Sequence, residues 1–298
     1  MKPYNPQEES FLEKETMTIK SKLKSLKEEV QTFSFWKAVR CEFLISLIYV
    51  FIGCGSWTDL QRIQDSYFRV AVTFGLAQAT LMQCVGHISG AQMNPAITLS
   101  MLATGKMGIA RSICYILAQG LGAIAGAGIL YGSTPGKYHG TLGVISIQPD
   151  VLPGQAFAVE FMVTFVLVFT YFANLEPKRV DMGSRSLSVG LSVVLGHLFA
   201  LDYTGCGMNP ARLFGPAVVT NQWKDHWVYW VGPIIGGIFG GFTYEYTQCS
   251  SEDIQRFRGS FRRKKIQFVV ETDQRCDSPV TTEFSFTPRT SSNEDLKL

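Results

Sequence analysis

The tetrapeptide Met-Asn-Pro-Ala occurs twice in this chain, with its asparagines at 94 and 209, 115 positions apart. A four-residue repeat at that distance marks an internal duplication. The first copy lies in a run from Val70 to Gly105 that holds no Asp, Glu, Lys or Arg, and the second opens "NPARLFGPAVVT", whose one charge is Arg212. Ser112 to Gly136 and His226 to Tyr244 are equally free of charge. Such runs reach the roughly 20 residues that a helix needs to cross hydrocarbon. There every backbone N–H and C=O must be satisfied within the protein, which leaves the helix as the natural solution for long uncharged segments. A duplicated, polytopic, all-α membrane protein is expected.

Only 17% of the 298 residues are charged, against about 25% in a typical soluble domain. Most of these charges crowd into residues 1–40 and 250–298. Lys20, Lys22, Lys24, Lys27, Lys37 and Arg40 precede the first apolar stretch; Lys178, Arg179 and Arg185 fall in a middle loop; Arg256, Arg258, Arg262, Arg263, Lys264 and Lys265 follow the last. Excess Lys and Arg marks cytoplasmic segments, so both termini and the middle loop are expected inside, with an even number of spans. The first 35 residues are polar, and "FLISLIYVFIGCG" behind Lys37 and Arg40 reads as an uncleaved anchor rather than a signal peptide. Five of the seven cysteines (Cys41, Cys54, Cys84, Cys114, Cys206) lie in or beside apolar segments, at spacings that suggest neither a disulfide framework nor a metal site. No cofactor and no nucleic-acid partner is implied.

Six full spans can be placed, at about 38–57, 66–86, 108–131, 155–175, 186–202 and 227–248. Two apolar stretches opened by the repeated motif, Pro95 to about Thr104 and Pro210 to about Thr220, are too short to cross. "CEFLISLIYVF" at Cys41 aligns with "VEFMVTFVLVF" at Val159, matching Glu42 to Glu160, and "YILAQGLGAIAGA" at Tyr115 aligns with "YWVGPIIGGIFGG" at Tyr229. Each repeat has three spans, an odd number, so the second enters the membrane upside down relative to the first, as inverted-repeat membrane proteins do. The division is residues 1–35 as an N-terminal segment, 36–249 as the membrane domain (repeat one about 36–135, repeat two about 154–249) and 250–298 as a tail. Glycines such as Gly122, Gly126, Gly236 and Gly240 would allow close helix approach.

Glu42 and Glu160 are carboxylates at membrane depth, where an unpaired charge is costly. A proton or ion relay is one reading; acceptance of hydrogen bonds from nearby non-helical backbone is the other, and the matched places in both repeats favour it. Asn followed by Pro is a helix start, because Asn caps free N–H groups and Pro suits the first helical position. Each short helix would begin at its motif (Asn94, Pro95 and Ala96; Asn209, Pro210 and Ala211), and inversion would bring the two N-termini together at mid-membrane. Each end carries roughly half a positive charge, a field that repels cations. Carbonyls near Gly86 to Ser89 and Gly205 to Gly207 are expected to line a wet cavity as acceptors.

Two NPA motifs, six spans and the run "GHLFALDYTGCGMNPAR" resemble the aquaporin family, specifically its water-selective branch, over about residues 36–249. The resemblance implies six transmembrane helices plus two re-entrant half-helices, a homotetramer with one pore per subunit, and water as permeant. Its four constriction positions fall on Phe74, His197, Cys206 and Arg212. Phe and His narrow the gap, while Arg and His replace hydrogen bonds that water gives up. Arg212 adds a positive charge of the kind that excludes protons and cations from aquaporin-type pores, and Cys206 becomes an expected target of mercurials. His197 and Leu213 stand where the glycerol-conducting branch usually has Gly and Asp.

Two positions depart from the pattern. Leu213 replaces a common Ser, read as a local packing change, and Gln78, one turn after Phe74, replaces an aliphatic wall residue and either faces the lumen or turns to a neighbouring helix. His87 is expected to brace a loop or face a cytoplasmic vestibule. Outside the resemblance, Ile19, Leu23, Leu26 and Val30 recur at helical spacing among lysines, as in a basic amphipathic helix. Ser260 lies in a basic setting that would attract a kinase, and the tail after Glu271 has a disordered composition. The expectation is a passive water-selective channel, not an enzyme, in a multi-pass location most consistent with the plasma membrane. A channel that also passes glycerol, urea or peroxide, and a non-conducting scaffold or adhesion protein, are the alternatives.

Overall fold

Uncharged runs become helices along the chain. A computed structural model describes residues 27–58, 66–139, 142–176 and 183–248. The expected amphipathic helix apart from its last residues, the basic cluster at Lys178 and Arg179, and Ser260 with the rest of the tail lie outside the described residues. The principal helices are α1 (Phe33–Gly55), α2 (Ser66–Ser89), α3 (Pro95–Ala103), α4 (Ile109–Ser133), α5 (Pro153–Leu175), α6 (Arg185–Thr204), α7 (Pro210–Thr220) and α8 (Val228–Gln248). α1, α2, α4, α5 and α6 are long and apolar enough to cross a membrane by length and composition. α8, with 21 residues, has the length of a sixth span, but glycines, tyrosines and Glu245 dilute its apolar character. The two half-helices, of 9 and 11 residues, start at Pro95 and Pro210.

Helix limits follow local chemistry. Thr32 caps α1, its hydroxyl accepting from the Phe35 N–H at 3.2 Å, and Ser184 caps α6. Pro153 stands at the first position of α5, where its missing N–H costs nothing. α6 ends on Gly205 in the left-handed conformation, which glycine adopts without a Cβ penalty.

The packing repeats with the sequence. α1 pairs with α4 in the first repeat and α5 with α8 in the second, while α2 pairs with α6 across the repeats. The α1–α4 and α5–α8 contacts are so close that any Cβ at Gly122 would run into the Phe43 carbonyl, and any at Gly236 into the Phe161 carbonyl. The half-helices swap partners: α3 packs on α8, and α7 on α4. The two repeats are thus interlocked. Leu187, Leu191 and Leu195 of α6 and Ile113, Leu117 and Leu121 of α4 remain exposed, an apolar surface suited to lipid or to a neighbouring subunit.

Candidate functional site

The site is built from two loops that fold alike because their sequences repeat. Each runs from the end of a long helix to the start of a half-helix. In the first, Gly90, Ala91 and Met93 take positive φ (88°, 48° and 41°); in the second, Gly205, Cys206 and Met208 do (75°, 63° and 54°). Left-handed backbone at four non-glycine residues is strained, so the surroundings must hold it in place. The expectation that the first loop begins near Gly86 is corrected here. Gly86 to Ser89 belong to the last turn of α2, closed by the Gly90 N–H donating to the Gly86 carbonyl at 2.9 Å. The extended segment starts at Gly90, because that is the first glycine free to turn left-handed.

The buried glutamates hold these loops. Glu42 accepts hydrogen bonds from the Ser89 hydroxyl (2.7 Å), the Gln92 and Met93 N–H groups (3.0 and 2.7 Å) and the Gln119 amide (2.9 Å). Glu160 accepts from the Thr204 hydroxyl (2.6 Å) and the Gly207 and Met208 N–H groups (both 2.8 Å). Two tyrosines secure the helix ends: the Tyr115 hydroxyl donates to the Ser89 carbonyl (3.1 Å), and that of Tyr229 to the Thr204 carbonyl (2.7 Å). Each loop therefore has its inward N–H groups consumed by a carboxylate behind it. Charge-assisted bonds of this kind are about twice as strong as neutral ones.

The asparagines at the half-helix starts do two things each. Asn94 Oδ1 accepts from the Ala96 N–H (2.8 Å), and Asn209 Oδ1 from the Ala211 and Arg212 N–H groups (3.0 and 3.3 Å). Across the repeat boundary, Asn94 Nδ2 donates to the Met208 carbonyl (2.9 Å) and Asn209 Nδ2 to the Met93 carbonyl (2.8 Å). The exchange is reciprocal, so the two helix N-termini face each other with one amide hydrogen left on each asparagine.

On one side of this junction, three side chains from three helices converge. The Phe74 and His197 rings stack at 4.7 Å between centroids with a 19° tilt, and the Arg212 guanidinium carbon lies 4.8 Å from the Phe74 centroid. Cys206, fully buried, sits in the loop that leads to Arg212. Arg212 Nη1 donates to the Gly143 carbonyl (3.2 Å), while its Nε and Nη2 and the Nε2 of His197 find no partner among the described residues. Phe74 is 0% and Arg212 1% exposed, so the three side chains are tightly packed at this spot.

Sequence reasoning missed several contributors. Tyr49 packs edge-on against Phe74 at 5.3 Å, and Gly53 leaves space that the Phe74 ring fills. Gln119 binds both Glu42 and the Thr98 hydroxyl. Tyr115 and Tyr229 carried a signal, since they open the aligned blocks of the two repeats; Tyr49 and Gln119 carried none. His87 is exposed on the last turn of α2. Leu213 packs with Ile145 and Tyr229. Gln78 is buried, with its Nε2 unpartnered.

Interlocked inverted repeats with half-helices meeting N-terminus to N-terminus define a membrane-channel architecture. Residues 29–244 match the pattern of the major intrinsic protein family, and the chain belongs to that family. It is 46% identical over 264 residues to Aquaporin-4 of Mus musculus, covering 85% of this chain and 81% of that protein. It is 48% identical over 219 residues to the lens fiber major intrinsic protein of Homo sapiens, covering 73% of this chain and 83% of the relative. The aquaglyceroporin structure from Plasmodium falciparum superposes with a TM-score of 0.61 at 20% identity, covering 71% of this chain and 95% of its own, which is a likeness of fold.

Proposed function

We propose that this chain is a passive water channel, in which water moves in single file past Asn94 and Asn209 and through a constriction of Phe74, His197, Cys206 and Arg212. The observation that carries this reading is the convergence of the Phe74 ring, the His197 ring and the Arg212 guanidinium on one spot. There the spare donors of Arg212 and the free ring nitrogen of His197 are the polar groups left over for a permeant. A passage one water wide beside these groups suffices for water; glycerol needs more. Two half-helix N-termini and the fixed charge of Arg212 set a positive potential that opposes cations and protons. Glu42 and Glu160 are structural carboxylates, since their oxygens are already occupied by loop donors. Nothing is chemically transformed, and the chain is not an enzyme.

The assembly is read as a homotetramer in the bilayer, each subunit with its own pore. Both termini are placed in the cytoplasm by the distribution of Lys and Arg, with the plasma membrane as the location. The domain limits remain 36–249 for the channel, flanked by an N-terminal segment and a tail.

Stopped-flow light scattering on proteoliposomes of the purified chain tests the function. Osmotic shrinkage well above that of empty liposomes, with neither glycerol nor urea entering, is expected. Solute uptake alongside water would replace the selective reading with a broader one. No increase over empty liposomes from correctly folded protein would end the channel reading.

A further inference from the structure

Gln78, Ser46 and Thr164 are buried polar side chains of the spanning helices that keep a polar atom without a partner among the described residues, and no brace, cap or constriction contact accounts for them. Gln78 is the largest of the three. It lies on α2 four residues after Phe74, one helical turn and about 6 Å further along the axis, in the direction of the loop that carries Asn94. The faces of α2 are assigned by its neighbours. Gly75 and Ala79 meet Gly190 and Val194 of α6, and Leu76 is exposed to the membrane side. Val70, Ala71, Phe74, Ala77, Gln78 and Leu81 point inward. Gln78 is 2% exposed, yet its Nε2 meets no acceptor among the described residues. A packing residue buried in this way would strand a donor at a cost of roughly 1–3 kcal/mol, and a glutamine buried for structure is normally paired. Gln119 provides the contrast: equally buried, its Nε2 serves Glu42 and Thr98.

We propose that Gln78 is a rate-determining residue of the pore, an amide donor that holds each passing water between the Phe74 constriction and the asparagine pair. This rests on the water-channel reading above. The asparagines at that level each have one amide hydrogen committed to the opposite loop, so Gln78 adds donors where few remain. A single-file column moves as a unit, so a hydrogen bond at one station retards every molecule in the line. The residue lowers unit permeability and raises the temperature dependence of flow relative to an apolar wall.

The test compares wild type, Gln78→Met and Gln78→Leu in proteoliposomes, with protein copies counted and permeability measured across temperature. Methionine keeps length and volume without a donor, and leucine guards against a fault peculiar to methionine. Expected is a rise in unit water permeability of about fivefold, the effect of one ordinary net hydrogen bond on a barrier, with a lower activation energy in both variants. Replacing a purely structural residue would neither raise the permeability nor lower the activation energy. Wild type that conducts, with variants equal or slower at the same activation energy and an unchanged elution profile, would overturn the proposal alone. Wild type and variants all inert would overturn it together with the channel reading.

Discussion

The two repeats build the same loop from different means. In the first, Glu42 receives four donors, and behind it Gln119, Thr98 and Gln92 form a connected polar cluster: the Thr98 hydroxyl donates to Gln92 Oε1 at 2.7 Å and lies 3.0 Å from Gln119 Nε2. In the second, Glu160 receives three, and the positions that match Gln119, Thr98 and Gln92 are Pro233, Leu213 and Gly207. The second repeat carries Arg212 instead, the matching position in the first being Ile97. Glutamate, left-handed residues, asparagine and tyrosine stay common to both, which marks them as the frame. The polar cluster belongs to one side and the guanidinium to the other. Removing polar neighbours from behind the second loop leaves the Arg212 charge as its dominant polar feature, consistent with placing selectivity there and rigidity in the first.

Deleting the shared frame is expected to have the largest effect. Glu42→Ala strands two backbone and two side-chain donors, and Glu160→Ala strands two backbone donors and one hydroxyl. Either is expected to cost roughly 3 kcal/mol or more, with the Glu42 variant the worse of the two. Thermal unfolding in detergent, followed by loss of the monodisperse elution peak, reads this directly. A Glu42→Ala protein as heat-resistant as wild type would dissolve the idea that the carboxylates hold the strained loops.

Arg212→Val separates the repeats by function. The Arg212 side chain has one hydrogen bond among the described residues, to the Gly143 carbonyl, so its loss should leave the frame standing while widening the constriction and removing its charge. Glycerol entry into proteoliposomes is expected to rise on the order of tenfold, the scale on which a pocket discriminates by size, with only a modest change in unfolding temperature. Unchanged glycerol exclusion would remove Arg212 from the constriction.

The frame was legible in the sequence to the extent that it was repeated or uncharged. The half-helices announced themselves through Asn-Pro, since capping by Asn and the fixed φ of Pro act locally. Glu42 and Glu160 stood out because a carboxylate in an apolar run needs an explanation. Their partners did not: Ser89 and Gln119 lie 47 and 77 positions from Glu42, and no local rule connects them. The limit of α2 was misplaced for a related reason. Gly86 can end a helix, but Tyr115, 26 positions from Ser89, bonds the Ser89 carbonyl and fixes the last turn. The contact between Phe74 and His197 depends on the packing of α2 against α6 through Gly75 and Gly190, which periodicity alone does not supply.

The smallest expected effect sharpens the comparison at its most asymmetric point. Leu213 occupies the place of Thr98, whose hydroxyl oxygen lies 3.1 Å from the Asn94 carbonyl four residues back. Leu213→Thr would give the second repeat the same hydroxyl, able to donate to the Asn209 carbonyl, so no buried polar group need be left unpaired. What is lost is the packing of Leu213 on Tyr229 and Ile145, a cost of about 1–2 kcal/mol for a partly refilled gap, visible as a few degrees in thermal unfolding. Water permeability should stay within about twofold of wild type, less than half a kcal/mol of barrier, and glycerol and urea should remain excluded. A gain of solute flux in this variant would put Leu213 on the pore wall, and the second repeat would then owe its selectivity to the residue after the arginine as well as to the arginine itself.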